Sequence, residues 1–370
     1  MADSLLEGPI WLPAGIAGLI GLLVGRWLPR PIVALSDDPD QTFLSRCPAC
    51  DMARHPLLNW FHMGTRCPAC SVRVSSWPLL LEIVTGLLFA AFAFFLLELR
   101  CQQTPMIQHD AAGWVMRLGF HLVLLTLMLL ATGTDLRSYV IPDVVVGGGC
   151  LAGVALATMS GQLQMVPLWI DWNAEILGFL PPEIPLWTGQ HAHLHGLTWS
   201  LAGLAAGVAI TWLVRTTGSL ILGREAMGFG DVTLMAMIGS FLGWQPVLIV
   251  FLIAPLTGIL LAIGLRLTGN RIILPYGPCL CAAATVVLFA WKWIWMFEIV
   301  DGGIVVVSVR RLFGDWIGLL ILSGIAYAGF VALLGLLRAY RAIPVPSHRV
   351  STEDKDENEE QPPDSPLSNG

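Results

Sequence analysis

Charge is what this sequence has least of. Asp, Glu, Lys and Arg make up only 12% of its 370 residues, about half the share of an average soluble domain, and its mean hydropathy is +0.72. That balance excludes an ordinary soluble enzyme. A basic excess is missing too: 20 Lys and Arg face 26 Asp and Glu, and seven of those acids fall with one lysine in residues 351–370. The remaining chain carries 19 charges of each sign, so it offers no field for counterion-releasing contact with phosphates, and nucleic acid is not a partner. Cysteine is sparse. Eight in the whole chain exclude a disulfide scaffold and leave spacing as the informative feature. The first apolar stretch lacks the basic flank of a signal peptide, since Asp3 and Glu7 precede it. No Gly-rich strand–loop–helix of a soluble methyltransferase is readable.

Long apolar runs are what fill the space. Stretches near 10–28, 78–97, 118–134, 143–160, 196–214, 246–265, 276–297 and 316–337 are each long enough, at about 20 residues, to cross a hydrocarbon core as helix. A ninth, 232–243, is short and crosses thinly or tilts against its neighbours. The expected fold is an all-α polytopic membrane protein of eight to nine transmembrane helices, with a small cytoplasmic zinc-ribbon-like loop domain. Arg26 follows the first stretch, which sets the N-terminus outside and residues 26–77 inside. Nine crossings from there place fifteen of the twenty basic residues on the cytoplasmic side. The division is a first helix (1–28), a cytoplasmic four-cysteine loop (29–77), a membrane core (78–290) with an outside insertion (161–195), an extra C-terminal membrane region (291–343) and a disordered acidic cytoplasmic tail (344–370). The insertion holds three acids and no Lys or Arg, and its tryptophans suit a membrane interface.

The loop between the first two spans contains Cys47-Pro-Ala-Cys50 and Cys67-Pro-Ala-Cys70. Two CxxC pairs sixteen residues apart read as a zinc ribbon, each pair giving two thiolates to a tetrahedral site. Four unmetallated thiols or two disulfides are the alternatives, and disulfides rarely persist on the reducing side. Four protein ligands leave no open position, so the zinc is structural. Cys101, Cys150, Cys279 and Cys281 read as small core residues. His191, His193 and His195 alternate as ligands on a strand would, yet no acid or cysteine completes a set, and a polar loop at a span entrance is the plainer reading.

Acids at membrane edges gather in two places, both on the expected cytoplasmic face. One is Asp135-Leu-Arg-Ser-Tyr-Val-Ile-Pro142-Asp143; the other is Glu225-Ala-Met-Gly228-Phe-Gly230-Asp231. Ionisable groups at membrane depth cost several kcal/mol unless paired or hydrated, roughly 3 at the helix centre. Two carboxylates close together in a partly dry site do not both ionise, and a water between them can be aimed at a peptide carbonyl. Gly228 and Gly230 let backbone approach Asp231 and receive an extended segment, and Pro142 starts the next helix and fixes Asp143. Helix capping explains either acid alone. Ion pairs, transport paths and a non-enzymatic assembly scaffold docking through the zinc loop are further alternatives, though no related halves of the chain mark a transporter.

In order along the chain stand Gly25-Arg26-Trp27-Leu28-Pro29, the paired CxxC loop, Pro56-Leu57-Leu58-Asn59-Trp60, Glu82 with Thr85-Gly86-Leu87-Leu88, Asp135 with Pro142-Asp143, Gly228-Phe-Gly-Asp231 and Pro275-Tyr276-Gly277-Pro278. Together they resemble the bifunctional type IV prepilin leader peptidases/N-methyltransferases of the GxGD aspartic type, over most of residues 15–290. The resemblance implies that a short basic leader is removed from prepilins or pseudopilins of a type IV pilus or type II secretion machinery. Cleavage would follow a Gly at the cytoplasmic face of the inner membrane. It also implies N-methylation of the new N-terminus with S-adenosylmethionine. By the same resemblance Asp135 and Asp231 are the catalytic pair, Asp143 and Glu225 supporting acids, and Glu82 and Gly86 associated with methyl transfer. The sequence departs from the family pattern at Thr233, where a Lys is usual. The span between the CxxC pairs is also shorter, and an Arg is missing before the second span.

Overall fold

In a computed structural model of the chain, residues 11–36, 70, 77–105, 109–170, 185–267, 275–301 and 304–342 are described. They fold as α1 (Trp11–Trp27), α2 (Pro29–Leu35), α3 (Trp77–Leu97), α4 (Ala111–Ser138), α5 (Asp143–Ser160), α6 (Leu186–Gln190) and α7 (Ala192–Leu222). There follow α8 (Phe229–Leu242), α9 (Trp244–Leu267), α10 (Tyr276–Trp295), the strands β1 (Glu298–Asp301) and β2 (Ile304–Ser308), α11 (Val309–Gly314) and α12 (Trp316–Ala342). Among the described residues eight spans are long and apolar enough to cross a membrane, and α8 is a shorter apolar helix. Leu252, Leu256 and Leu260 of α9 and Leu320 and Ile325 of α12 are among many large apolar side chains left exposed. A surface of that kind belongs in lipid.

The expected all-helical architecture is amended by one antiparallel hairpin. β1 pairs with β2, Glu298 opposite Ser308, with a bulge between Ile299 and Val300. Its β-branched run Ile304-Val305-Val306-Val307 favours the pleated state over helix. Glu298 ties the hairpin to α11 by accepting from Arg310 Nε at 2.9 Å, and accepts across the hairpin from Ser308 Oγ at 3.1 Å. The zinc-ribbon-like domain lies outside the described residues.

The bundle is built around α8. Its 14 residues span about 21 Å at 1.5 Å per residue, short of the roughly 30 Å hydrocarbon core. Every residue from Val232 to Leu242 except Thr233 is buried, because α4, α5, α7, α9 and α10 all pack against it. Protein therefore covers its short length. Small residues make this packing possible. A β-carbon added at Gly203 of α7 would overlap the carbonyl oxygen of Gly239 in α8, and one at Gly239 would overlap that of Gly203. The two backbones touch directly, as small-residue interfaces in lipid allow. α8 ends at Gly243, whose φ of +84° and closeness to the buried Trp199 ring leave room only for glycine.

α1 and α3 form a tight pair, and Ala17, Phe89, Phe92 and Leu96 join it to the common core. Added β-carbons at Gly21 and Gly25 would stand 2.7 Å from Thr85 O and Glu82 Cα. At the opposite end of the bundle from the α4–α5 turn, residues 161–170 are anchored on α4, α7 and α9. Arg117 donates to the Gln164 carbonyl, Trp244 Nε1 to that of Leu168 at 2.8 Å, and Leu168 N–H to His195 Nε2 at 3.1 Å.

Candidate active site

Asp135 occupies the last turn of α4. That helix stops at Tyr139, whose φ of +55° is left-handed and whose amide closes onto the Asp135 carbonyl at 2.9 Å. The next residues are extended: Pro142, at ψ 127°, precedes α5 and has no amide hydrogen to continue a helix. Asp231 sits in the first turn of α8, after Gly228 in extended backbone as the N-cap. Two crossings, α5 and α7, separate the end of α4 from the start of α8, so the chain returns to the same end of the bundle. The start of α10 arrives there as well.

These ends enclose a cavity of about 720 Å³ lined by both aspartates. Asp135 is 5% exposed and Asp231 8%, and the two carboxylates are within electrostatic reach of each other. Glycine backbone lies against each one, Gly277 beside the Asp135 carboxylate and Gly228 beside that of Asp231. A β-carbon at Gly277 would overlap Asp135 Oδ2. The glycine that the carboxylate excludes from having a side chain is therefore the third residue of Pro275-Tyr276-Gly277-Pro278. At Gly228 an added β-carbon would meet Asp231 Oδ2 at an ordinary 3.5 Å, and at Gly230 it would crowd Ile141 at 3.2 Å. Ile141, Tyr139, Met227 and Tyr276 line it beside the acids, while Val214, Leu222, Phe251, Phe330 and Leu334 make a wholly apolar side.

The other expected site residues divide. Asp143 lines the cavity as the exposed first residue of α5, where its charge suits the helix N-terminus. Glu225 is not among the lining residues; its side chain is 79% exposed and pairs with Arg215 at 2.8 Å. Thr233 donates to the Gly230 carbonyl at 3.0 Å. Glu82 and Gly86 belong to the α1–α3 pair: Glu82 accepts from Arg26 at 3.0 Å, and a β-carbon at Gly86 would press on Leu22 at 2.7 Å. Neither lines the cavity.

Cys47, Cys50 and Cys67 lie outside the described residues, and Cys70 is half-buried. Among the described residues no group of three or more His, Cys, Asp and Glu stands ready to hold a metal. His193 Nδ1 contacts the Thr158 carbonyl at 2.9 Å, and His191 precedes α7. Sequence reasoning passed over Phe251, Phe330 and Leu334, since nothing local distinguishes them from other apolar residues of a membrane helix.

The profile of the type IV leader peptidase family matches residues 122–263, which contain both aspartates, and that of the bacterial peptidase A24 N-terminal domain matches residues 19–96. A prepilin leader peptidase/N-methyltransferase of Aeromonas salmonicida (strain A449) is 30% identical over 253 residues, 66% of this chain and 70% of the relative. This chain belongs to the type IV leader peptidase family. Proteins of the same description in Aeromonas hydrophila and Myxococcus xanthus (strain DK1622) are 29% and 30% identical over 264 and 261 residues. Those alignments cover 68% of this chain in both cases, and 74% and 63% of the relatives. No solved structure matches. The leader peptidase is thus a multi-pass membrane protein whose matched core, from α4 to most of α9, carries both acids.

Proposed function

We propose that Asp135 and Asp231 are the catalytic pair of an aspartic endopeptidase that removes the basic leader from type IV prepilins or pseudopilins. Cleavage takes place at the cytoplasmic face of the inner membrane, with the N-terminus outside and the acidic tail inside. One observation carries the reading: two nearly buried acids, from helices far apart in sequence, line the same cavity.

The pair shares one proton, because neighbouring carboxylates in a partly dry site resist double ionisation. The ionised aspartate takes a proton from a water lying between the two as that oxygen attacks the scissile carbonyl carbon. The protonated aspartate gives its proton to the carbonyl oxygen, and a tetrahedral intermediate forms. Collapse of the intermediate breaks the C–N bond: one of its hydroxyls returns a proton to the second aspartate as the C=O re-forms, and the proton taken from water passes to the departing amine. The close approach of Gly277 and Gly228 keeps the two carboxylates in place through the cycle. Asp143, exposed at the cavity, is suited to hold a basic residue of the leader.

The same enzyme N-methylates the new N-terminus, as the name of its relatives suggests. S-adenosylmethionine supplies the methyl group in such chemistry. Glu82, paired with Arg26, and Gly86, packed against Leu22, are the residues assigned to that reaction, and no step of the cleavage passes through it. Cys47, Cys50, Cys67 and Cys70, at zinc-ribbon spacing, fit a structural zinc with no part in bond cleavage. The protein serves a pilus or a type II secretion machinery through its pilin-like substrates.

Asp135→Asn and Asp231→Asn are each expected to abolish leader removal, a loss of at least about a thousandfold, while the protein still inserts. Mass spectrometry of a co-expressed prepilin reads the outcome. Wild-type turnover by either variant would show that the pair is misassigned.

A further inference from the structure

Most side chains that line the catalytic cavity are apolar or are glycines. Apart from the three acids Asp135, Asp143 and Asp231, the side-chain hydrogen-bond donors among its described lining residues are the hydroxyls of Tyr139 and Tyr276. Tyr139 is 58% exposed, so water competes for it. Tyr276, the first residue of α10, is half-buried and within electrostatic reach of Asp231, and its neighbour Gly277 lies against Asp135 Oδ2. Its hydroxyl has no hydrogen-bond partner among the described residues. The backbone beneath it is held on both sides. Pro275 caps α10 in extended conformation, Pro278 fills the first turn where no amide hydrogen is needed, and Thr257 of α9 donates to the Cys279 carbonyl at 2.8 Å. Ile141 packs against Gly277 and Gly230 alike, which keeps the start of α10 in register with the turn that carries Asp231.

Resting on the peptidase reading above, we propose that Tyr276 is a third catalytic residue, whose hydroxyl donates a hydrogen bond to the scissile carbonyl oxygen as charge gathers on it. The phenol keeps its proton: the one that the oxygen acquires comes from the protonated aspartate, and an oxygen with two lone pairs accepts from both groups. A donor set in place before substrate arrives strengthens its bond as the carbonyl becomes tetrahedral, and so favours the transition state over the bound peptide. Neutrality matters as much as position. A lysine in its place would draw both carboxylates into the ionised form and empty the pair of its shared proton, whereas a phenol supplies a donor and leaves that proton where it is.

The test is Tyr276→Phe in the full-length protein in detergent, a change that removes one oxygen and keeps the ring. With a prepilin-like peptide, kcat and kcat/KM should fall together by about a hundredfold, with KM within about twofold. Two peptide inhibitors make the role specific. A difluoroketone in place of the scissile amide hydrates to a tetrahedral diol and should lose about thirtyfold or more in affinity, while a reduced amide, which lacks that oxygen, should bind within about twofold of wild type. An unchanged kcat, a rise in KM alone, or an equal loss for both inhibitors would overturn the role of the hydroxyl and leave the peptidase intact, because the aspartate variants test that separately. Failure of wild type to cleave the peptide would overturn the peptidase reading, and this role with it.

Discussion

A methyl group at position 277 has nowhere to go: the carboxylate of Asp135 fills the place where it would stand. Gly277→Ala should therefore push Asp135 out of line without removing any functional group. Displacements of about 1 Å in an active site cost on the order of a hundredfold in rate, and that is the loss expected in single-turnover cleavage, with thermal unfolding in detergent little changed. An unaltered rate would mean that the Asp135 carboxylate does not depend on this approach. The residue was in view from the start, inside Pro275-Tyr276-Gly277-Pro278, but its task was not. Glycine's need for space is read only against a neighbour, and that neighbour is 142 positions earlier in the chain. The aspartates were legible for the opposite reason: an ionisable group at a membrane edge is conspicuous by its cost. Glu225 drew notice on the same ground, and an exposed ion pair with Arg215 accounts for it.

At the scale of the helix, hydropathy located every span and misjudged some lengths. The run 143–160 coincides with α5, and 276–297 nearly with α10. The run 118–134 falls short of α4 because Arg117 and Asp135 interrupt the apolar signal, while their polar groups find protein partners and the helix continues. The hairpin was announced by Val300-Asp-Gly-Gly-Ile304, a turn signal between β-branched residues, in the stretch between the apolar runs 276–297 and 316–337. The contact of Gly203 with Gly239 could not be read at all, since neither helix records in its own sequence which neighbour it will touch. Gly203→Val should part α7 from α8 and destabilise the fold by roughly 3 kcal/mol. The readout is a lower unfolding temperature in detergent together with lost cleavage. Retention of both would show that the two helices have room to spare.

For the whole molecule, the two matched segments make different demands. The one from α4 to most of α9 holds both aspartates, whereas the cysteine loop lies within the other, in the part of the chain joining α1 to α3. Cys47→Ser is expected to spare leader removal, within about threefold in rate, while a structural zinc site loses one of its four ligands. A chelator should likewise act slowly, through folding. The mass of a co-expressed prepilin separates the cases: Asp231→Asn leaves the leader on, and Cys47→Ser takes it off. A Cys47→Ser protein that folds, inserts and leaves the leader in place would tie the loop to the cleavage itself.

The return of the chain to one end of the bundle imposes a rule of parity on its history. Because α5 and α7 lie between the end of α4 and the start of α8, an insertion that adds one membrane passage there strands Asp231 a full bilayer away from Asp135. Growth in that interval must come as paired passages, or as extra length on the far side, where the connection between α5 and α7 can be remodelled without moving either acid.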